Sequence, residues 1–418
     1  MSRSAKVLMS GVFQPANESQ ISDFIRDSAK SNNPIEVVGY NTKAIGRYIQ
    51  CSQTLDLSKI KGIVEYMPEE LYIKVCANTS MLEVMDLLKS KKQMLGFEPV
   101  DYGYLYYGKS NYGSVGGAIG CNLSGSRRFK AGALRDHLLG FRAVNGSGEI
   151  IKSGGTVVKN VTGYDLSKLV AGSYGTLSVL SEVVLKVLPE PEYSETFIIY
   201  NLDSLQAINA FSKVMKTSLE ISGACYFPKN NINFFRLNDL DNTHSVLALR
   251  VEGPKKSVIE RVSSLQSIFK EMKKTTILEL YQSKLFWKIA SNLECFSNSP
   301  NVVAKISLAP TDANSFVKQF CDDPIIGINN KYFIDWAGGL VWIEIDNLDP
   351  SYLIIEKIKK FCTQSNAHMT IVKSNMTYRS TGSFLTSASD DLKSLTSRIK
   401  KSFDPKSILN PGKMYAGI

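Results

Sequence analysis

Apolar residues recur at helical spacing over Ile21, Phe24, Ile25 and Ala29, and the pattern stops at Asn33-Pro34. Ile35-Glu36-Val37-Val38 then reads as a strand, followed directly by the polar loop Gly39-Tyr40-Asn41-Thr42-Lys43. Residues 63–66 and 71–76 read as two strands joined by Pro68-Glu69-Glu70. Ser80 is placed to cap a helix through Leu87, with Glu83 completing a capping box. Over 97–125 helical periodicity disappears and glycines and tyrosines dominate, so a loop is expected there. Residues 138–152 read as a hairpin turning at Asn145-Gly146-Ser147-Gly148. A loop with a short helix over 154–175 leads into a strand over Leu177–Leu188, and Pro189 and Pro191 place a domain boundary near 190.

Beyond that boundary, strand-like runs (Thr196–Tyr200, Val246–Val251, Val302–Leu308, Leu340–Ile345) alternate with helix-like ones (Leu205–Met215, Val258–Met272, Tyr352–Cys362). Such alternation suggests an α+β cap built on an antiparallel sheet. Residues 376–393 read as a loop, 394–403 as a helix stopped by Phe403-Asp404-Pro405, and the tail as irregular. There are no internal repeats.

The chain has 418 residues, enough for two or three domains with cores of their own. Its 49 basic and 39 acidic residues give a net charge of +10, which admits anionic ligands, anionic lipid or nucleic acid. The basic residues sit in short clusters on helix-like stretches, and no nucleic-acid-binding module accompanies them, so no nucleic-acid partner is expected. Seven cysteines are scattered singly, with no CxxC and no Cys/His pairing. An iron–sulfur or structural zinc site within the chain is therefore not expected, and reduced thiols in a cytoplasmic setting are. The N-terminus lacks the apolar run of a signal peptide, and no stretch reaches the roughly 18 apolar residues of a membrane span, leaving only peripheral contact with the inner face of a membrane.

Gly103-Tyr104-Leu105-Tyr106-Tyr107-Gly108-Lys109-Ser110 matches the GxxxxGK[ST] pattern of a phosphate-binding P-loop. A P-loop lies between a buried strand and a helix. Here a poor strand precedes and a second loop is expected to follow, and the four bulky residues inside hinder wrapping. No GxGxxG fingerprint supports dinucleotide binding of the Rossmann kind. The stronger signal is Gly113, Gly116, Gly117, Gly120 and Gly125 within thirteen residues, interleaved with Asn122 and Ser124 and followed by Arg127-Arg128. Glycines let the backbone approach a ligand closely, and consecutive amides can converge on a pyrophosphate. Asn160–Leu166, with Asp165 as an N-cap, and Gly172–Leu177 read alone as a capped helix and a tight turn. Asn410-Pro411-Gly412-Lys413 alone is a turn.

Together these segments resemble a known family. GGAIGCNLSGSRRFKAGALRDHLLGFRAVNGSGEIIKSGG, VVKNVTGYDLSKLVAGSYGTLSVLSEVVLKVLP and FDPKSILNPGKMYAGI are similar to the FAD-binding E subunits of bacterial glycolate oxidase, flavoproteins of the vanillyl-alcohol-oxidase type. Further likeness runs through ISGACYF at 221–227, LFWKIA at 285–290 and FIDWAGGL at 333–340. The resemblance implies an α+β fold: a two-subdomain PCMH-type FAD-binding domain over 1–190, split near 60, a cap over 191–393, and a return segment over 394–418.

The resemblance also implies site roles. Gly39, Tyr40, Asn41, Thr42 and Lys43 would form the first pyrophosphate loop, and Ser114, Val115, Gly116 and Gly117 the second. Asn122, Ser124 and Gly132 would line the cofactor. Gly172, Gly175 and Val179 would approach the ribityl chain and isoalloxazine, and Asn410 and Lys413 would close over the flavin. The first loop departs from relatives rich in glycine there. No histidine precedes His137, so the FAD is expected to be non-covalent.

Oxidation of a 2-hydroxy acid needs a cation for the carboxylate, a base for the hydroxyl proton and a hydride acceptor. Related catalytic subunits hold the hydroxy acid with metal, paired histidines and a Glu. This chain has only His137, His244 and His368, at unrelated places, so no metal site is expected. Tyr164, Arg379 and Lys413 are candidate substrate-side groups, as is Arg135, which reads equally as an ion-pair partner of Asp136. The expected role is a FAD-binding subunit of a glycolate oxidase (glycolate dehydrogenase) complex, with hydroxy-acid oxidation belonging mainly to a homologous catalytic flavoprotein and electrons leaving to an iron–sulfur subunit. Two alternatives stand beside it: a self-sufficient FAD-dependent dehydrogenase for D-lactate or another hydroxy acid or sugar alcohol, and a non-redox scaffold.

Overall fold

A computed structural model describes residues 11–156, 163–322, 331–346, 352–386 and 389–417. Helix Glu18–Ser31 forms as the periodicity predicts, with Ile21 and Ile25 buried, Asn17 accepting from the Gln20 amide, and Asn32 closing the C-terminus at φ 51°. It covers a parallel sheet of β1 (Gly11–Phe13), β2 (Ile35–Val38) and β3 (Gln53–Asp56), ordered β1-β3-β2. A second sheet, of antiparallel strands, contains β4 (Ile63–Met67), β5 (Tyr72–Cys76), β7 (Leu138–Asn145), β8 (Ile150–Gly154) and β9 (Ser178–Lys186), ordered β4-β5-β9-β7-β8. Separately, β6 (Gln93–Met94) and β10 (Leu188–Pro189) pair as a short antiparallel ribbon.

The predicted hairpins over 63–76 and 138–152 are present, the second extending to Gly154 and tightened by Asn145, whose Oδ1 accepts from the Ser147 and Glu149 amides at 2.9 Å. Helix Met81–Ser90 also forms, but Ser80 makes no side-chain cap. The Met81 amide donates instead to the Gly113 carbonyl at 3.0 Å, because Ser80 and Ser114 pair as a β-bridge. Asp165 does cap helix Leu166–Val170, accepting from the Lys168 amide at 3.3 Å. The Asn160–Thr162 part of that motif lies outside the described residues, as does the first part of the N-terminal segment, residues 1–10.

The cap is an eight-stranded antiparallel sheet, as the strand and helix alternation suggests: β11 (Tyr193–Tyr200), β12 (Gly223–Phe227), β13 (Val246–Gly253), β14 (Thr275–Glu279), β15 (Val302–Ser307), β16 (Tyr332–Asp335), β17 (Leu340–Ile345) and β18 (His368–Lys373). Their order is β14-β11-β13-β12-β16-β17-β15-β18. Helices Ser204–Met215, Lys255–Ile268, Ala313–Phe320 and Leu353–Gln364 bury apolar residues such as Phe211, Val262, Phe316 and Ile358 in a core shared with that sheet. A buried ionic cluster fastens cap to nucleotide side. Arg250 on β13 donates to Glu98 at 2.7 Å and lies over Trp287 at 4.6 Å, while Arg127 grips Glu252. Burial opposes the charge on Glu252, but Arg250 and Arg127 outweigh it and hold the carboxyl down to about 2.

Two segments expected to be loops are partly helical. Within 97–125, helices span Gly103–Tyr107 and Val115–Cys121, and Met376–Thr381 is helical inside 376–393. Tertiary contact explains the glycine run. A Cβ at Gly116 would lie 2.8 Å from the Ala77 carbonyl, so the glycine lets helix Val115–Cys121 seat directly against the end of β5. The P-loop look-alike holds no phosphate concavity: the Gly103 and Asn111 amides and the Ser110 hydroxyl all donate to the buried carboxylate of Asp101. These donors are therefore taken up by the chain's own carboxyl group.

Candidate functional site: a cofactor cleft

Beyond β2 the backbone turns sharply through Gly39, where an added Cβ would lie 2.6 Å from Asn78 Oδ1 and 3.0 Å from Ser114 Oγ. Only glycine lets these three segments meet. Asn41 takes φ 50°, so this loop uses an asparagine for the left-handed position that glycine-rich loops give to glycine. Tyr40 is 41% exposed. Lys43 turns inward, its Nζ donating to the Tyr112 carbonyl at 2.7 Å and Thr42 Oγ1 at 3.2 Å, and burial lowers its pKa.

The second wall is the start of helix Val115–Cys121. Ser114 accepts from the Gly117 amide at 3.2 Å, and Gly116 donates to the Ala77 carbonyl at 2.6 Å. The third wall is the turn into β9, with Ser173, Tyr174, Gly175, Ser178 and Val179. The fourth comes from the C-terminal segment. Asn410, buried and at φ 43°, accepts from the Val37 amide and donates to the Tyr174 carbonyl, both at 2.8 Å. Behind it, Lys400 Nζ donates to Asp404 at 2.6 Å and to the Thr176 and Leu409 carbonyls, while Asp404 accepts from the Ile408 and Leu409 amides. Burial lowers the Lys413 pKa, and the neighbouring charge of Arg379 adds to this.

These walls enclose about 1010 Å³ of space including the open mouth, at the upper end of cofactor-sized sites. Asn78 is 1% exposed, lines the cleft, and leaves both Oδ1 and Nδ2 without a partner. A buried amide left so costs about 1–3 kcal/mol, which a ligand in the cleft can offset. Among the described residues, no acceptor engages the backbone amides of residues 40–43. Unpaired amides in a row, an orphan amide side chain and the cations Lys43 and Lys413 fit a long ligand with a central pyrophosphate.

The cleft brings together Gly39, Tyr40, Asn41, Thr42, Lys43, Ser114, Gly116, Gly117, Gly175, Val179, Asn410 and Lys413. Other expected residues lie outside its wall. Val115 is fully buried on the core side of its helix. Asn122 Oδ1 accepts from the Arg135 amide at 3.1 Å, and Ser124 Oγ from the Leu134 amide at 2.9 Å, so both hold the following loop in place. Gly132, at φ 92°, packs against Asp136, and Gly172 lines a separate small cavity with Leu177 and Met414. Tyr164 is 91% exposed. Arg379 donates to the Gly46 carbonyl at 3.1 Å and clasps residues 46–48 beside Lys413. Arg135 lies 3.9 Å from Asp136. Sequence reasoning missed Asn78, Glu36, Cys121, Ser173, Tyr174 and Ser178, which also line the cleft. Ser173 and Tyr174 stand inside the Gly172–Leu177 motif and Cys121 inside the glycine run, which were the available signals, whereas Asn78 follows β5 with none.

Comparison with known proteins gives this cleft its class. A family model described as "FAD binding domain" matches residues 9–154. Across the whole chain the fold is like that of an alkyldihydroxyacetonephosphate synthase, at a TM-score of 0.72 and 16% identity, covering 96% of this chain and 77% of that one. The protein is an FAD-dependent oxidoreductase with the PCMH-type α+β fold, and FAD is its cofactor. It is 30% identical over 393 residues to glycolate oxidase subunit GlcE of Escherichia coli (strain K12), covering 94% of this chain and 95% of that protein. A more distant relative is glycolate oxidase subunit GlcD of Bacillus subtilis (strain 168), 26% identical over 268 residues, which cover 62% of this chain and 55% of that protein. The chain belongs to the family of FAD-linked oxidoreductases that includes GlcE.

Proposed function

We propose that this chain is the FAD-carrying subunit of a glycolate oxidase (glycolate dehydrogenase) complex, which oxidises a 2-hydroxy acid such as glycolate to the 2-oxo acid and passes electrons to an iron–sulfur subunit. The observation carrying the reading is the cleft itself, together with a likeness to GlcE that spans nearly the whole chain. FAD, when bound, supplies a two-electron acceptor for a hydride from carbon. The chain's residues bind and orient it. The amides of residues 40–43 and the side chain of Asn78 offer donors to the pyrophosphate, Lys43 and Lys413 supply positive charge, and Asn410 locks the C-terminal segment across the opening. Val115, Asn122 and Ser124, outside the wall, act by holding those segments in place.

Oxidation of the hydroxy acid in this reading belongs mainly to a homologous flavoprotein partner. The three histidines lie apart, His137 against Phe97, His244 beside Asp241 and His368 on β18, so they do not converge on the cleft. No histidine precedes His137 and, among the described residues, none lines the cleft, which supports non-covalent FAD. The complex sits in the cytoplasm, at the inner face of the membrane; among the described residues no helix is long and apolar enough to cross one.

The test is affinity purification of the tagged full chain from its native host, with flavin, iron and visible-spectrum analysis. Recovery of near-stoichiometric FAD released by acid, together with a larger flavoprotein and a cysteine-rich iron protein, is the expected result. A chain recovered alone that reduces its flavin rapidly with glycolate would overturn the division of labour, and a chain without flavin would overturn the cofactor reading.

A further inference from the structure

A second cavity opens between the two domains and shares none of its lining residues with the cofactor cleft. It holds about 1440 Å³ of space including its open mouth, more than the cleft itself. One wall is helix Met81–Ser90 and the segment after it, through Met85, Met94, Leu95 and Pro99. Another is helix Leu280–Ser291 of the cap, with Trp287, Lys288 and Ser291. Glu190 and Pro191, where the chain crosses from one domain to the other, also line it. Joints between domains are preferred places for small-molecule sites.

Asn292 lines the cavity, follows the cap helix directly and is 1% exposed. Its Oδ1 accepts from the Asp101 amide at 2.9 Å, which fixes the way the side-chain amide is turned. Nδ2 is left buried without a hydrogen-bond partner; Tyr112 and Glu294 lie close by, and neither completes a bond. Arg127 repeats the pattern. Both terminal nitrogens of its guanidinium donate to Glu252, and the buried Nε donates to nothing. Among the described residues of this lining, both unsatisfied side-chain groups are donors and no side-chain acceptor is left over. Buried donors are normally paired, so two in one lining point to a ligand that brings acceptors.

The charges decide the kind of acceptor. Arg250 pairs with Glu98, Arg127 with Glu252 and Lys284 with Glu190, so the ionic groups of the lining offset one another. An anion beside Arg127 would also meet Glu252 and Glu98, and a cation would meet Arg127 and Arg250. Neither would be compensated for the water it loses. An uncharged carbonyl oxygen takes the donors without that loss. Leu82, Met85, Met94, Leu95, Pro99 and Pro191 offer apolar surface to the rest of such a molecule. The other charged lining residues, Asp86, Lys89 and Lys288, are exposed to solvent. We propose that this cavity binds an uncharged, largely apolar carbonyl compound, with Asn292 Nδ2 as the first donor to its oxygen and Arg127 Nε as the second. The site is separate from the cofactor cleft and does not depend on the chain's place in a glycolate oxidase complex.

Isothermal calorimetry on the FAD-loaded full chain tests it with three bicyclic probes: α-tetralone, tetralin and naphthoate. Tetralone differs from tetralin by a carbonyl in place of a methylene, and naphthoate presents a charge instead. Tetralone is expected to bind at least ~10-fold more tightly than either of the others. Asn292→Asp keeps an acceptor for the Asp101 amide and removes the donor, so the preference for tetralone over tetralin should fall to ~2-fold or less. Met85→Trp adds bulk to the cavity from helix Met81–Ser90, which contributes nothing to the cleft lining. It should weaken tetralone at least ~10-fold with FAD content unchanged, and it serves as the test should Asn292→Asp fail to fold. Tetralone no tighter than tetralin on the wild-type chain, naphthoate tighter than tetralone, a tetralone preference kept in Asn292→Asp, or unchanged binding in Met85→Trp would overturn the proposal. Release of FAD by tetralone would also overturn it, because the ketone would then occupy the cofactor cleft.

Discussion

Asn410 and Val37 are 373 residues apart, yet the Val37 amide donates to Asn410 Oδ1 at 2.8 Å. The other end of the same side chain donates to Tyr174, so one asparagine ties the C-terminal segment to two walls of the cofactor cleft. Asn410 also sits at φ 43°, where asparagine is tolerated and most residues are strained. Asn410→Ala removes both bonds and leaves a Cβ-bearing residue in that conformation. A loss of about 2–4 kcal/mol of stability is expected, read as a shift in urea midpoint, with faster FAD release in a stopped-flow dilution.

Asn78 has the opposite energetics. Its unpaired amide burdens the chain when the cleft contains no ligand, and has value only when a ligand supplies the partner. Asn78→Ala should leave the flavin-stripped protein as stable as wild type or more so. FAD affinity should fall about 10-fold, the size of one net hydrogen bond of about 1.4 kcal/mol. Melting curves of stripped and reconstituted protein separate the two effects. An equal loss in both forms would mean that Asn78 is purely structural.

Gly39→Ala puts a methyl group 2.6 Å from Asn78 Oδ1, closer than any relaxed contact. Asn78 or the loop after β2 must shift, and the amides of residues 40–43 shift with it. Loss of most bound FAD, with far-UV circular dichroism unchanged, is expected because the clash lies in a cleft wall and not in a core cluster.

Asp335 gives the fold a pH dependence. Burial raises its carboxyl to about 7, against which the bonds from Ser126 and the Trp336 amide act only partly. The native state therefore favours the protonated form. This residue's contribution to stability is full below its unfolded value near 3.8, and is lost as pH rises through about 7. Asp335→Asn keeps an acceptor for the Trp336 amide and removes the charge. Relative to wild type, the variant should gain on the order of 2 kcal/mol between pH 4 and pH 8, measured by urea unfolding at both ends. A constant difference across that range would show that Asp335 keeps an ordinary carboxyl pKa in the fold.

Much of the cleft was legible because local conformational demands leave marks in a sequence. Gly39, Gly116 and Gly117 stand where the backbone has to approach another segment, and their density is visible without coordinates. The same density misled about secondary structure. Glycines in 113–121 suggested an open loop, but a helix forms there because Ser114 caps it and Ala77 packs against its missing side chains. Asn122 and Ser124 were assigned to the ligand by motif, while the fold uses their side chains on the Arg135 and Leu134 amides. A polar side chain near a glycine run can serve either ligand or loop, and only its partners decide which.

By itself the sequence determined the order and type of most elements, the antiparallel α+β cap, and a nucleotide-binding character centred on Gly113–Gly125. Those follow from periodicity, turn chemistry and backbone freedom, which act over a few residues. The tertiary structure alone decided that Asp101 takes up the donors of the P-loop look-alike, that Asn78 lines the cleft unpaired, and that Asn410 ties the C-terminal segment to Val37 and Tyr174. Each of these is a pairing, or a missing pairing, of charges and hydrogen-bonding groups brought together by long-range packing. Such pairing has no period and no fixed spacing, so nothing along the chain records it.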